Sequence, residues 1–231
     1  AEEARLIYLG VLSGMQFGNK PHLVLDIGGG STELILADSS EARALTSTKI
    51  GAVRLQREFI KKDPISSQTE LFLRSFIRGS MESAIDKVSK RIEVGEEPVL
   101  VATSGTAMSL GALISNKENH IQSKLQGYKI QKNNLDSIVS QLIKMTPSER
   151  SELSSLSERR SEIIVPGALI LQTIMSMVNV DEIVLSERAL REGLVVDWMC
   201  RNNYLKDQLS FQGSIRERTV LHQSRRFGVN S

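Results

Sequence analysis

The sequence predicts a layered α/β domain, and three observations carry that prediction. Three short apolar stretches, "HLVLDIG", "TELILAD" and "RALTSTKIG", follow one another across tight turns and read as an antiparallel set. Amphipathic helices then alternate with single strands, which excludes a pure bundle or sandwich. A glycine triplet, Gly28-Gly29-Gly30, sits between the first two strands with a carboxylate on either side, Asp26 and Glu33.

Residues 2–17 read as an amphipathic helix with the stripe Leu6, Ile7, Leu9, Leu12 and Phe17. "AVRLQREFI" is a short helix after the three strands, and 66–92 a long one opened by the capping stretch "SSQTE". "EEPVLVATSG" is a strand, and "TAMSLGALI" the helix after it. Residues 116–131 are polar, with a short strand at "GYKIQ". "NNLDSIVSQLIKM" is a helix with Asn near its cap, and "TPSERSEL" opens another with Pro at the first helical position. Residues 158–178 form a long apolar helix that Pro166 should kink or begin. "DEIVLS" is a strand and "ERALREGLVVDWMC" a helix. Arg191 and Glu192 in this last segment read as a partly buried pair.

Composition narrows the classes. The 231 residues are 40% hydrophobic and 24% charged, with a net charge of +2, so no global charge points to nucleic acid or membrane. A single cysteine, Cys200, precludes an intrachain disulfide and points to a reducing, cytoplasmic setting. No apolar run reaches the ~18 residues of a membrane span. The start at "AEEARLIYLG", without Met and within a helix, suggests a piece of a longer protein. Residues 201–231 hold six Arg and Lys against two acidic residues and read as a linker with the first helix of a further domain, against 1–200 as the main lobe. The basic stretch "SIRERTVLHQSRRF" reads as the solvated face of that helix rather than a nucleic-acid contact.

The chemistry concentrates in two turns. Consecutive N–H groups in a tight glycine turn form an anion-binding nest, and the hydroxyls of Ser31 and Thr32 can add donors. Carboxylates beside a phosphate repel it unless a divalent cation lies between, and Mg²⁺ suits one or two carboxylates plus phosphate oxygens. Strand-turn-strand is neither a Rossmann nor a Walker arrangement, since both lead into a helix. In the second turn, Ser104-Gly105-Thr106 opens a helix whose free N–H groups also favour phosphate. Alone it reads equally well as an ordinary cap. His22, His120 and His222 lack metal-ligand spacing, so a zinc site is not expected. Lys20 is near the glycine turn in sequence only.

Two phosphate turns on neighbouring strands are the plan of the actin-like ATPase (ribonuclease H-like) fold. "EEARLIYLGV", "LVLDIGGGSTELIL", "VATSGTAMSLGAL", "SERRSEIIVPGALIL" and "SERALREGLVVDWM" resemble, in this order, the exopolyphosphatase/guanosine pentaphosphate phosphatase family. The resemblance spans nearly the whole chain to about residue 200. It implies the second actin-like lobe, a mixed sheet flanked by helices. The first lobe is absent, and the start of a C-terminal helical part follows.

The resemblance implies removal of terminal phosphate from inorganic polyphosphate or guanosine pentaphosphate with Mg²⁺. It assigns the catalytic base to Glu3, which on the residues alone is a solvated first-turn carboxylate favoured by the helix dipole. Asp26 and Glu33 would hold Mg²⁺. Gly28 to Gly30, Ser31, Thr32 and Ser104 to Thr106 would cradle phosphate, with Arg160 as the cation of the pair Arg159-Arg160. The competing reading of Arg160 is a surface ion pair with Glu158 or Glu162. A sensor that binds without hydrolysis is the alternative in a different class, and an actin-like kinase lacks motifs for a nucleoside pocket and an acceptor. Where many relatives carry a histidine before glycine, this chain has Gln126-Gly127, which puts a substrate contact there in doubt. The expected partners are the missing lobe and helical domain, and a homodimer is one expected assembly. A fragment with half of an inter-lobe cleft is expected to be inactive.

Overall fold

The computed structural model describes residues 2–17, 20–117 and 124–205. The proposed helix within 201–231 therefore lies almost wholly outside the described residues, as do His120 and His222. The chain runs α1 (Glu2–Leu12), β1 (His22–Ile27), β2 (Thr32–Ala37), β3 (Ala42–Thr48), α2 (Ala52–Phe59), α3 (Ser67–Ser89), β4 (Val99–Thr103), α4 (Gly105–Lys117), β5 (Lys129–Gln131), α5 (Lys132–Lys144), α6 (Pro147–Ser151), α7 (Glu158–Met177), β6 (Glu182–Leu185) and α8 (Leu190–Arg201). The six strands form one sheet in the order β3-β2-β1-β4-β6-β5. β1, β2 and β3 pair antiparallel as expected; β4 is parallel to β1 and β6, and β5 closes the far edge antiparallel. This is the mixed sheet of the actin-like lobe.

Strand periodicity sorts the two faces. Leu23, Leu25 and Ile27 of β1 and Leu34 and Leu36 of β2 point into a large core with α2, α3, α4, α5 and α7. Val24 and Ile35 point the other way, onto Ala4, Ile7, Tyr8 and Val11 of α1. Asp26 lies directly opposite Glu33 across the β1–β2 pair and therefore shares the α1 face.

Several local features differ from the sequence reading. α1 ends at Leu12, and Phe17 lies beyond it, stacked on buried His22 with ring centroids 3.9 Å apart. Past α1 the chain turns, and the Arg188 side chain lies beside Gly14, where a Cβ would come 2.6 Å from its Cδ. Pro166 lies within α7, which runs unbroken past it. The N-cap of α5 is Gln131, with Asn133 and Asn134 in the first turn after it. At α6 the expectation holds: Thr146 and Glu149 form a capping box with Pro147 behind them. Arg191 and Glu192 do not pair. Arg191 is exposed, and Glu192 accepts from the Ala189 N–H at 2.9 Å.

α1 and α8 cross at two glycines. A Cβ on Gly10 would lie 1.8 Å from the Ala189 oxygen, and one on Gly193 would lie 1.8 Å from the Leu6 oxygen. Both obstacles are backbone and cannot swing away. Gly193→Ala is therefore expected to lower the unfolding free energy by about 1–3 kcal/mol or more, seen as a lower urea midpoint, outweighing the ~1 kcal/mol that alanine gains in helix propensity. An unchanged or raised midpoint would show that the helices do not meet here. No helix among the described residues is long and apolar enough to cross a membrane.

Candidate active site at the ends of β1 and β4

The two turns singled out in the sequence meet at one end of the sheet. The glycine turn follows β1, and the Ser104-Gly105-Thr106 turn follows its parallel neighbour β4, so both face the same way. Between them lies a cavity of about 220 Å³, lined by Asp26, Gly28, Gly29, Ser104, Thr106 and Arg160 among others. The carboxyl ends of parallel strands are where open α/β sheets hold ligands.

The α4 turn lines the cavity with Ser104, Gly105 and Thr106. Ser104 accepts the Met108 N–H on its carbonyl at 3.0 Å and the Ala107 N–H on its hydroxyl at 3.4 Å. The first-turn N–H groups of Gly105 and Thr106 have no intrahelical partner by construction and border the cavity. Ser104 itself has φ of 104°, a conformation an L side chain rarely adopts, at a cost of about 1–3 kcal/mol.

The glycine turn works differently from the nest expected of it. None of Gly28, Gly29 and Gly30 is among the positive-φ glycines, which are Gly95 and Gly127. The Gly28 N–H donates to the Ser31 carbonyl at 2.9 Å. The carbonyls of Gly28 and Gly29 accept from Ala52 and Arg54, each at 3.0 Å, and so cap α2. The turn is pressed against Gly51, where a Cβ would come within 2.6 Å of Gly29 and Gly30 backbone. Of the triplet, Gly28 and Gly29 line the cavity, and the Gly28 N–H is already taken by Ser31, which leaves Gly29 as the glycine available to an anion. Thr32 is a second correction. Its buried hydroxyl donates to the Ile50 carbonyl at 2.7 Å and holds the β3–α2 connection instead of facing the cavity.

Arg160 reaches the cavity and Arg159 does not. Its guanidinium lies over Gly105, where a Cβ would come 1.5 Å from Nη2. No ion pair joins it to Glu158 or Glu162. Gln126 is tied down elsewhere: its amide donates to the Gly14 carbonyl at 3.2 Å and accepts from the Glu187 N–H at 2.8 Å. It braces the end of α1 against the β6–α8 connection.

The carboxylates form an acidic corner beside the phosphate turns. Burial, then the charges of Glu33 and Glu3, push Asp26 up to about 7. No hydrogen bond opposes that rise. Burial also raises Glu33, against hydrogen bonds from Ser47, at 2.7 Å, and Ser31. Glu3 is exposed in the first turn of α1, close enough for its charge to act on both.

This donor set suits a hard cation such as Mg²⁺. All ligands would be oxygen, Asp26 lacks a donor of its own, and a positive charge would relieve the repulsion. Among the described residues no group of three or more acidic, His or Cys side chains forms a metal cage. A site of one or two carboxylates completed by water and phosphate oxygens is the form Mg²⁺ favours. Glu33, 1% exposed and held by two serines, fits an outer role better than Asp26 does.

Sequence reasoning missed Gly51, Ser47, and the buried pair Arg150–Asp63 behind Arg160. The glycine could have been flagged from its place before α2. Nothing local marks the others.

Comparison with known proteins fits this arrangement. The Ppx/GppA phosphatase family model matches residues 1–202. Exopolyphosphatase 1 of Mycobacterium leprae is 31% identical over 195 residues, covering 84% of this chain and 56% of that protein. Guanosine-5'-triphosphate,3'-diphosphate pyrophosphatase of Aliivibrio fischeri strain MJ11 is 31% identical over 194 residues, covering 84% of this chain and 36% of that one. The chain thus spans about half, or less, of these relatives' length. The crystal structure of the Aquifex aeolicus Ppx/GppA family member superposes with a TM-score of 0.75 at 25% identity, over 87% of this chain and 63% of that one. An exopolyphosphatase structure from Cytophaga hutchinsonii shares the fold, with a TM-score of 0.78 at 22% identity, over 87% and 63%. With the sheet order, the paired turns and this match over nearly all the described residues, the chain belongs to the Ppx/GppA phosphatase family.

Proposed function

We propose that the protein containing this chain hydrolyses the terminal phosphoanhydride bond of inorganic polyphosphate, with this lobe forming one wall of the site. The observation that carries the proposal is the cavity in which two phosphate-binding turns, Arg160 and Asp26 converge.

The residues divide the work. The N–H groups of Gly29, Gly105 and Thr106, with the Arg160 guanidinium, bind and orient the terminal phosphoryl oxygens. Ser104 shapes the second turn, and Ser31 holds Glu33 in place. Glu3 accepts a proton from the water whose oxygen attacks phosphorus, while the bridging oxygen leaves with the shortened chain. Asp26, with Glu33 behind it, would hold Mg²⁺, which when bound neutralises charge on the phosphate oxygens. Phosphoryl transfer depends mainly on such positioning and charge neutralisation.

Guanosine pentaphosphate is the second reading, favoured by the similarity to the Aliivibrio fischeri protein. The turns bind phosphate by backbone groups and cannot tell one chain of phosphates from the other. The test is phosphate release from each substrate by the full-length protein, with and without Mg²⁺. Release from polyphosphate that requires Mg²⁺ is expected. Faster release from guanosine pentaphosphate would select the second reading, and release from neither would overturn both.

A further inference from the structure

We infer that Arg150, clamped by Asp63, is a positioning residue for Arg160, and so sets the affinity of the site for its phosphate substrate. The inference rests on the reading of Arg160 as an anion ligand.

Arg150 is completely buried. A guanidinium has five N–H donors, and all have acceptors here. Nε donates to the Leu142 carbonyl at 2.9 Å. Nη1 donates to Asp63 Oδ2 at 2.8 Å and to the Ser161 carbonyl at 3.1 Å. Nη2 donates to Asp63 Oδ1 and to the Met145 carbonyl at 2.7 Å. One side chain thereby joins the end of α5, the connection between α2 and α3, and the first turn of α7. Burying a charge this completely demands a full set of partners, and losing one leaves the charge uncompensated.

The α7 end of this clamp is where the site is exacting. Ser161 follows Arg160 directly. The first turn of α7 has no side-chain cap of its own, since Ser157 makes no capping bond. Its N-terminal geometry is held instead by backbone bonds, by the Ser161 hydroxyl on the Glu158 carbonyl at 2.6 Å and by Arg150 on the Ser161 carbonyl. Arg160 meanwhile rests on Gly105 in space that a single methyl group would fill. A small rotation of that turn therefore moves the guanidinium off the α4 N–H groups. Below this point α7 is fixed independently by Gly167, where a Cβ would come 2.7 Å from the Thr106 side chain. Loss of the clamp is thus felt in the first turn of α7 and not along its whole length.

The experiment is a double-mutant cycle in the full-length enzyme. Asp63→Asn preserves volume and removes the charge that neutralises Arg150; Arg150→Met removes the clamp. Each is combined with Arg160→Ala, and KM and kcat for polyphosphate are measured. Asp63→Asn is expected to raise KM on the order of tenfold with kcat little changed, the cost of misplacing a binding group. In the Arg160→Ala background the same substitution should add nothing. An equal rise in both backgrounds, or an unchanged KM, would overturn the positioning role. Should Arg150→Met fail to fold, Asp63→Asn carries the test alone. An unchanged KM in Arg160→Ala itself would instead refute the reading of Arg160 as ligand, which separates the two failures.

Discussion

In the full-length protein, Asp26→Asn is expected to raise the thermal midpoint at pH 8 while abolishing phosphate release. The sign follows from linkage. The unfolded carboxyl titrates near 3.9, whereas burial and the charges of Glu33 and Glu3 hold the folded one at about 7. Between these values the native state binds the proton that the unfolded state has lost, so stability falls as pH rises. Three units correspond to at most about 4 kcal/mol, fully developed above pH 7. The raised Glu33 adds in the same direction. Asparagine keeps the shape and removes the charge. The difference in midpoint between variant and parent should be small at pH 4 and widen by pH 8. A gap independent of pH would remove the account of the acidic corner. Mg²⁺ provides a second readout: it should raise the parent's midpoint at pH 8 more than the variant's. Equal shifts would argue against Asp26 as its ligand.

Glu3→Gln is expected to reduce phosphate release about 10²- to 10⁴-fold, the usual worth of a positioned base, with polyphosphate binding retained. Binding by dialysis and release by phosphate assay, on the same preparation, separate the two effects. Turnover near that of the parent would place the base elsewhere. The structure gives this prediction its asymmetry. Glu3 sits in the first turn of an α1 docked by the Gly10–Gly193 crossing and by Arg5, which reaches Asp197 of α8 at 2.7 Å. It is exposed and makes none of the contacts that hold the helix in place, so its loss should change stability little, with a small gain above pH 7 where its charge no longer opposes Asp26 and Glu33. Asp26→Asn and Glu3→Gln therefore differ in degree: both abolish or nearly abolish release, but only the first should stabilise strongly, since Glu3 is the smallest of the causes that raise Asp26.

The sequence by itself determined what depends on near neighbours. The short apolar run "HLVLDIG" set a buried strand, and "TPSE" set a capped helix. The sequence placed Asp26 and Glu33 on either side of a tight turn, and the strand register then set them directly opposite each other. The resemblance of five ordered stretches added the family. Only the tertiary structure decided which groups remain available to a ligand. Gly28, Gly29 and Gly30 look alike in sequence, yet α2 and Ser31 occupy the N–H and carbonyl of the first and the carbonyl of the second. Thr32 and Ser31 are adjacent hydroxyls, and strand geometry sends them to opposite sides. Arg150 is one of 29 basic residues, with no local mark, but segments 87 residues apart in sequence close around it. The physical reason is common to all three. Hydrogen-bond capacity is finite, and whether a donor serves the fold or a ligand depends on partners that the chain brings in from a distance.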